Sequence, residues 1–431
     1  MDRENRMSHF KFSWDRFLAI LFISAFLQLH AGDLPKAKPE EVGLSSQRLA
    51  MITEVLKADV ASKKIPGAVL LIARHGKLAY LENVGKVDPA TDNPMTADSI
   101  FRVYSMSKPI TTVAAMMLVE DGKLSLDDPV SLYLPEFAKM MVGIEKPDAS
   151  GAPTLELVPA RRPISVYDLM RHTSGITYGF FGSGLVKKAY DDARLLQEDM
   201  SSADFSRRVA KLPLNYQPGT TWDYGHSTDI LGRVVEVISG KSLFQFEKER
   251  LLDPLGMFET SFFVADPLKH GRIAEPFADN RNIGRNSDFS NPRVAQKFES
   301  GGGGMVSTAS DYSRFLQMLL NGGSLDGKRF LGPKTIQLMT ADHASASSGI
   351  APGMLAGTGY GFGLGFAVRR STGEAPVPAD PGEYNWSGAG GTTMWVNPKA
   401  DMLVVFMVQT TKQNLRYRSL LRNMIYASVV Q

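Results

Sequence analysis

The sequence contains no cysteine, and its charges form no block of one sign. Without cysteine the chain has no disulfide, no thiolate zinc site and no cysteine nucleophile. Its 48 basic and 45 acidic residues are interspersed and leave a net charge of only +3. The basic surface typical of nucleic-acid binding is therefore missing, and we expect no nucleic-acid partner. A chain of 431 residues with 43% hydrophobic residues can bury a substantial core, and a small neutral molecule is the default substrate.

Several catalytic patterns are absent as well. The seven histidines include no H-E-x-x-H or other close ligand pair, so the sequence predicts no metal and no cofactor. No G-x-S-x-G occurs, which excludes the nucleophile elbow of the α/β-hydrolases. The four glycines at 301–304 lack the G-K-[ST] ending of a phosphate loop. A close-packed turn is therefore favoured over nucleotide binding.

One apolar run, residues 17–32, lies near the N-terminus. It follows Lys11 and Arg16, ends in a small-residue cleavage pattern at Ala31, and is shorter than the roughly 20 residues of a spanning helix. We expect a signal peptide over residues 1–32, export to the periplasm or the medium if it is cleaved, and no stable membrane span. The alternative is an amphipathic or disordered leader that stays on a cytoplasmic protein.

Alternating apolar runs occur at both ends of the chain. Residues 67–88 predict two strands joined at His75-Gly76. Further strands are predicted in 359–370 and 392–411, followed by a helix from about Asn414. We expect an α/β (α+β) fold in which an antiparallel sheet built from both termini is flanked by helices. The expected α/β lobe comprises 33–109 and 295–431, and a mostly helical lobe comprises 110–294.

The stretch FRVYSMSKPITTVAAMMLVEDGKLSLDDPV, residues 101–130, places Ser105 three residues before Lys108 at the predicted start of a helix. A serine hydroxyl becomes a useful nucleophile only with a base in reach and donors for the oxyanion. One helical turn would bring the lysine amine to the hydroxyl. Alone, the S-x-x-K pattern is weak, because Ser8 and Lys11 match it too. An N-cap serine and a solvated lysine would explain it equally well.

Two further segments support a catalytic interpretation. In PGTTWDYGHSTDILG a turn presents Tyr224 and His226 before an apolar helix. A cation beside a phenol favours the phenolate, which could accept the serine proton. In EYNWSGAGGTTMWVNP the small residues at 387–391 allow another backbone to approach a strand edge, where an oxyanion donor could lie. A tyrosine that is simply packed at a helix start is the structural alternative.

These segments, together with YDLMRHTSGI at 167–176 and SGGGGMVSTASDYSRFL at 300–316, resemble the serine β-lactamase and penicillin-binding-protein superfamily. The chain is most similar to the class C β-lactamase-like esterases, the family VIII carboxylesterases. The resemblance extends from about Pro39 to the C-terminus and keeps the family's order of motifs. It implies a β-lactamase/transpeptidase-like fold.

The resemblance also implies roles for individual residues. Ser105 would be the acylated nucleophile, Lys108 its proton-transfer partner and Tyr224 the general base for the serine and later for water. The oxyanion hole would use the backbone N–H groups of Ser105 and Ala389. Two such donors in a dry pocket are expected to supply much of the acceleration.

Two departures from the lactamase pattern bear on the substrate. Trp386, Ser387 and Gly388 replace K-T-G, so a carboxylate-bearing lactam loses a cation and an uncharged ester gains an apolar wall. Y-G-H replaces Y-x-N, and His226 cannot reproduce both ends of an amide. We expect these four residues to contact the substrate, and we expect esters of short or medium acyl chains to be preferred over penicillins.

Three functions remain open from the sequence. The leading hypothesis is a serine carboxylesterase that works through an acyl-enzyme on a small-molecule ester. The second is a class C-like β-lactamase with weak cephalosporinase activity, or a D-aminopeptidase. The third is a non-catalytic penicillin-recognition protein, which would be expected to have lost Ser105, Lys108 or Tyr224, and all three are present.

Overall fold

A computed structural model describes residues 33–196, 200–280, 291–344 and 357–430. The predicted signal peptide lies outside these ranges, so its cleavage stays a prediction. Within them, no helix is both long enough and apolar enough to cross a membrane.

Strands are concentrated at the two ends of the described chain. Their bounds are β1 Gly67–Arg74, β2 Lys77–Gly85, β3 Phe101–Arg102, β4 Met141–Pro147, β5 Pro153–Pro159, β6 Val306–Ser307, β7 Ser324–Leu325, β8 Lys328–Arg329, β9 Tyr360–Phe362, β10 Ala367–Arg369, β11 Tyr384–Ser387, β12 Thr393–Asn397 and β13 Met402–Val408.

Helices flank the strands and fill much of the middle of the chain. Their bounds are α1 Ser46–Ala61, α2 Ser107–Glu120, α3 Val166–Met170, α4 Leu185–Asp192, α5 Ser202–Val209, α6 Ser227–Ser239, α7 Leu243–Glu247, α8 Asp253–Leu255, α9 Ala309–Leu320, α10 Pro333–Met339 and α11 Asn414–Tyr426. Shorter 3-10 turns occur at Pro39–Val42, Tyr104–Met106, Val130–Leu132, Pro135–Phe137 and Pro267–Arg272, and a π-helical turn at Lys248–Leu252.

Seven strands form one sheet in the order β2-β1-β13-β12-β11-β10-β9, and every neighbouring pair is antiparallel. This confirms the predicted sheet built from both termini. The predicted β1–β2 hairpin is also confirmed: His75 and Gly76 have φ of 55° and 70°, the left-handed conformations that a two-residue hairpin turn requires.

The sheet is buried on both faces because helices cover each side. On β13, Val404 and Phe406 face a cluster with α1 and α11, whereas Leu403 and Val405 face the larger core with α2 and α9. Successive side chains of a strand point to opposite faces, so a strand covered on both sides is apolar throughout. This explains the unbroken run of apolar residues in β13.

The helix starts follow ordinary capping chemistry. The Ser45 hydroxyl accepts a hydrogen bond from the Arg48 N–H at the start of α1. Thr308 caps α9 in the same way, accepting from Asp311 N–H. Both side chains accept a hydrogen bond from a backbone N–H group that the first turn of a helix leaves unpaired.

The middle of the chain contains one feature that the sequence analysis missed. Strands β4 and β5 form a separate antiparallel hairpin inside the segment expected to be mostly helical. Most of its side chains are exposed or half-buried. Because only Val142 and Gly143 of the hairpin are buried, its sequence shows little of the alternation that reveals a strand.

A carboxyl group is fully buried beneath α2. The Glu247 side chain is 0% exposed, and its Oε1 accepts a hydrogen bond from the Thr111 hydroxyl at 2.9 Å. Burial, reinforced by the charges of Glu299 and Glu236, raises the pKa of Glu247 well above its ordinary value, against the opposing effect of Thr111. Burial in the folded protein therefore favours the neutral, protonated form of Glu247.

We predict that Glu247→Gln stabilises the protein more at pH 8 than at pH 5. Above about pH 4.5 the unfolded chain loses a proton that the folded wild type retains, and the wild type loses about 1.4 kcal/mol per pH unit until the folded group titrates. Glutamine has no proton to lose. Urea unfolding at both pH values measures the difference in free energy of unfolding between variant and wild type.

The control is Glu54→Gln, at an exposed position on α1. The difference in free energy of unfolding between Glu54→Gln and wild type should change little between the two pH values. A Glu247→Gln difference that is equally insensitive to pH would show that Glu247 is ionised in the folded protein.

Candidate active site

Ser105 lies in the 3-10 turn that leads directly into α2. The preceding residue, Tyr104, has φ of 45°, which costs a bulky residue about 1–3 kcal/mol. Its carbonyl accepts the Ser107 hydroxyl at 2.7 Å, and that hydroxyl accepts the Met305 N–H at 3.1 Å. These bonds hold the strained turn, and Ser105 is half-exposed at its outer edge.

The Lys108 side chain is 1% exposed, yet its amine has three acceptors. Nζ lies 3.4 Å from Ser105 Oγ, 3.1 Å from the Tyr178 hydroxyl and 2.6 Å from the Gly302 carbonyl. An ammonium carries three hydrogens, so all of them find a partner. A lysine with this arrangement lies within hydrogen-bonding distance of the Ser105 hydroxyl, where it can stabilise negative charge or exchange a proton with the serine.

The glycine-rich segment supplies one of those acceptors, as a close-packed turn and without any phosphate-loop geometry. Gly302 N–H donates to Asp229 Oδ1 at 2.9 Å, while its carbonyl faces Lys108. A Cβ on Gly302 would lie 2.8 Å from the Asp229 carboxylate oxygens, so only glycine fits here. The predicted close-packed turn is confirmed.

Asp229, on α6, holds this turn by hydrogen bonds. It accepts the Ser300 hydroxyl at 2.6 Å and lies 2.9 Å from His226 Nδ1. Burial would raise the pKa of Asp229, but the hydrogen bond and charge of His226 and the charge of Lys108 lower it overall. The resulting carboxylate lies close enough to Lys108 for their opposite charges to interact.

Tyr224 follows the turn before α6 and packs beside Lys108. The lysine Nζ lies 4.6 Å from the centroid of the Tyr224 ring, within range of a cation–π interaction. The Tyr224 hydroxyl is buried and has no hydrogen-bond partner among the described residues. An orphaned buried hydroxyl next to a nucleophile is available to a substrate or a catalytic water.

Aromatic side chains surround the Tyr224 ring. Tyr178 and His172 lie 5.3 and 4.8 Å from the Tyr224 ring, and Trp386 lies 5.4 Å away. Burial, and then the charge of Lys108, lowers the pKa of His172 well below its ordinary value, with Asp229 opposing, so this histidine is neutral. The setting is apolar, and charges are weakly screened in it.

Ser105 and Tyr224 open onto one cavity of about 210 Å³. Three aromatic side chains line one side, which we call the aromatic wall: Phe181, Tyr224 and Trp386. Three polar side chains line another, which we call the polar wall: Asn385, Asn414 and Arg418. The segment Ser387, Gly388 and Ala389 completes the lining.

The end of β11 comes very close to the nucleophile turn. A Cβ on Gly388 would lie 2.4 Å from the Val103 carbonyl oxygen, so the small residue predicted from the sequence is required. The next residue, Ala389, is exposed and lines the cavity with Ser105. The backbone of Ala389 therefore reaches the region where the proposed oxyanion would form.

His226 does not occupy the position that the sequence analysis gave it. It is buried, its ring packs 4.3 Å from Tyr178, and its Nδ1 faces Asp229. It lies outside the cavity lining, because the start of α6 turns the side chain towards the protein interior. We therefore correct its expected substrate contact to an indirect role beneath Lys108. The other expected substrate contacts, Trp386, Ser387 and Gly388, do line the cavity.

Two site residues were missed from the sequence. Tyr178 contacts Lys108 directly, and burial, with Tyr224 and Asp229 nearby, raises the pKa of its phenol well above the ordinary value. Arg418 lines the cavity from α11. Neither has a spacing signal, because each meets the site only through the fold. The described residues also contain no cluster of acidic or histidine side chains suited to a metal.

The chain is similar to a known protein family and to several known proteins. The family model described as Beta-lactamase matches residues 52–427. Esterase EstB of Burkholderia gladioli is 30% identical over 406 residues, covering 88% of this chain and 95% of its own. Protein Rv1367c of Mycobacterium tuberculosis is 35% identical over 368 residues, covering 84% of this chain and 88% of its own.

Among solved structures, EstCE1, described as a hydrolase with promiscuous acyltransferase activity, has a TM-score of 0.72 at 29% identity. The match covers 88% of this chain and 99% of that one.

The two tyrosines beside Lys108 generate a paired prediction. Tyr224→Phe should lower kcat for ester hydrolysis by about 100-fold or more, the usual range for loss of a general base. Tyr178→Phe should lower it by less than about tenfold, because it removes one of three acceptors of Lys108 and no base. Steady-state kinetics on p-nitrophenyl butyrate compares them.

The two variants are matched, since each loses one buried hydroxyl beside the same lysine, and thermal unfolding checks that both are folded. If the order is reversed, Tyr178 is the base. If both retain near-normal kcat, neither phenol accepts the proton.

Proposed function

The chain belongs to the β-lactamase family of serine hydrolases, and we propose that it hydrolyses short- to medium-chain carboxylic esters through an acyl-enzyme on Ser105. The observation that supports the proposal is that Ser105 and Tyr224 line one cavity together with Ala389, and that Lys108 lies buried beside both. The similarity to Esterase EstB supports the choice of ester over lactam.

The proposed reaction begins with proton transfer from Ser105 Oγ to the Tyr224 phenolate. Oγ then adds to the ester carbonyl carbon, and the N–H groups of Ser105 and Ala389 stabilise the carbonyl oxygen as it becomes negative. The carbon–oxygen bond to the alcohol breaks, and the alcohol leaves with the proton held by Tyr224. Water repeats these steps on the acyl-enzyme, which releases the acid and restores the serine.

In this scheme Lys108 remains an ammonium throughout. Its charge favours both the phenolate of Tyr224 before attack and the oxyanion near Ser105 after it. The Gly302 carbonyl and the Tyr178 hydroxyl fix its position, so the charge need not move during the reaction. A fixed charge in an apolar site stabilises a transition state more than a mobile one does.

We predict that Ser105→Ala abolishes hydrolysis of p-nitrophenyl butyrate while the protein stays folded, because no acyl-enzyme can form. In the wild type, an aryl phosphonate should add one phosphonyl group to the peptide that contains Ser105, as measured by intact and peptide mass spectrometry. The alanine variant should gain no mass. Enzymatic turnover in that variant, or labelling elsewhere, would rule out the proposed nucleophile.

Trp386 offers a test of substrate class. Its indole lies 5.4 Å from the Tyr224 ring, where the lactamase pattern has a lysine. We predict that Trp386→Lys raises kcat/KM for nitrocefin relative to p-nitrophenyl butyrate by about tenfold, because a cation near the site attracts the lactam carboxylate. Trp386→Phe is the control for the loss of the indole. Equal ratios in both variants would show that this position does not set the preference between ester and lactam.

A further inference from the structure

The two tyrosines beside Lys108 lie on chain segments that run side by side. The first segment is the loop 172–178, which ends at Tyr178. The second is the turn 215–225, which carries Tyr224, and we call the two together the tyrosine segments. Backbone hydrogen bonds of 2.7 to 2.9 Å join them from the N–H groups of Asn215, Gly219 and Asp223 to the carbonyls of Gly175, Thr173 and His172, respectively.

Next to Tyr224 the two backbones are in direct contact. A Cβ on Gly225 would lie 2.2 Å from the Ile176 carbonyl oxygen and 2.5 Å from the Thr177 Cα. Only glycine therefore fits after Tyr224. Because the Tyr224 hydroxyl has no hydrogen-bond partner within the described ranges, the position of the phenol is set by ring packing and by this backbone.

One side chain connects the tyrosine segments immediately before both tyrosines. Lys187, on α4, donates from Nζ to the Thr177 hydroxyl at 2.8 Å, and the same Nζ lies 3.3 Å from Asp223 Oδ1. Thr177 precedes Tyr178, and Asp223 precedes Tyr224. A single ammonium is thus bonded to the residue before each phenol.

The ion pair of Lys187 and Asp223 is largely shielded from water. The lysine side chain is 12% exposed and the aspartate side chain 6%. The second oxygen of Asp223 accepts a hydrogen bond from Asn215 Nδ2 at 2.8 Å. Removing one partner of such a pair leaves the other charge buried and unmatched, so the pair constrains the tyrosine segments more than an exposed pair would.

The helix that carries Lys187 is itself held against the chain just after Tyr178. A Cβ on Gly179 would lie 2.4 Å from the Asp191 backbone nitrogen, and Val186 and Tyr190 of α4 are buried. The helix therefore provides a fixed base for the lysine side chain. Lys187 does not line the cavity, so it can affect a substrate only through the residues that it holds.

We propose that Lys187 is a positioning residue, which keeps the Tyr224 phenol in reach of Ser105 by holding the tyrosine segments together. This role presupposes the proposed ester hydrolysis, in which Tyr224 takes the Ser105 proton. Proton transfer requires the two oxygens to approach within hydrogen-bond distance, and a displacement of about 1 Å can lower a rate about 100-fold. Loss of Lys187 should therefore reduce turnover while the groups that line the cavity stay the same.

The test is a double-mutant cycle with Tyr224. We expect Lys187→Met to lower kcat for p-nitrophenyl butyrate at least about tenfold, with KM changed by less than about twofold, because the phenol moves and the cavity lining is intact. In the Tyr224→Phe background the same substitution should change kcat by less than about twofold, since the hydroxyl that Lys187 positions is already absent.

Two further variants complete the cycle. Lys187→Arg keeps the cation and should recover part of the lost kcat. Lys187→Gln takes the place of methionine in both backgrounds if the methionine protein does not fold, as judged by thermal unfolding.

Lys188→Met is the matched control. Lys188 is the next residue of α4, its side chain is 66% exposed, and it forms an ion pair with Asp192 on the same helix. This substitution removes the same charge from the same helix without touching the tyrosine segments. It should keep the wild-type kcat.

A wild-type kcat in the folded Lys187→Met or Lys187→Gln protein overturns the positioning role. An equal fractional loss with and without the Tyr224 hydroxyl also overturns it, because the effect then does not pass through that group. An equal loss in Lys188→Met overturns it as well, since any charge on α4 would then suffice. Failure of the proposed function is distinct: Tyr224→Phe itself would keep a near-normal kcat, or ester turnover would survive Ser105→Ala.

Discussion

The site depends on one buried cation. An ammonium removed from water costs several kcal/mol unless its hydrogens and charge are matched, and Lys108 is matched by three groups from three segments. Ser105 lies one turn before it on the chain, Tyr178 comes from the loop after α3, and the Gly302 carbonyl comes from the turn before β6. Fixing this charge therefore fixes the relative positions of α2, that loop and that turn.

The carboxylate of Asp229 extends the same constraint into α6. It receives the Gly302 N–H and the Ser300 hydroxyl, so Gly302 is held by Asp229 through its N–H and by Lys108 through its carbonyl. Because α6 begins just after Tyr224, the element that stabilises the lysine also positions the phenol beside it. His226, which packs on Tyr178 and bonds Asp229, links the two. The lysine, the phenol and the glycine-rich turn form one unit, and none can move alone.

The sequence predicted what depends on local chemistry. The β1–β2 hairpin and the close-packed glycines follow from turn residues and small side chains. The contacts of Lys108 with Tyr178 and Gly302 join residues 70 and 194 positions apart, and no spacing rule reports such pairs. The same reason explains why His226 was placed in the cavity: its position beside Tyr224 was visible, but the direction of its side chain at the helix start was not.

The aromatic wall and the polar wall of the cavity are held in place by different contacts. Residues that take part in the proposed reaction are therefore distinct from residues that can select the substrate. Tyr224 in the aromatic wall packs directly against Lys108, so a change there disturbs the buried charge. The polar wall is attached to β11 and the first turn of α11, on the far side of the strand from that lysine. Substitutions at Asn385, Asn414 or Arg418 can alter the charge presented to a substrate without removing an acceptor from Lys108. A site arranged in this way can change the substrate it selects while the hydroxyl, the ammonium and the phenol keep their geometry, since the acceptors that hold Lys108 belong to Ser105, Tyr178 and Gly302.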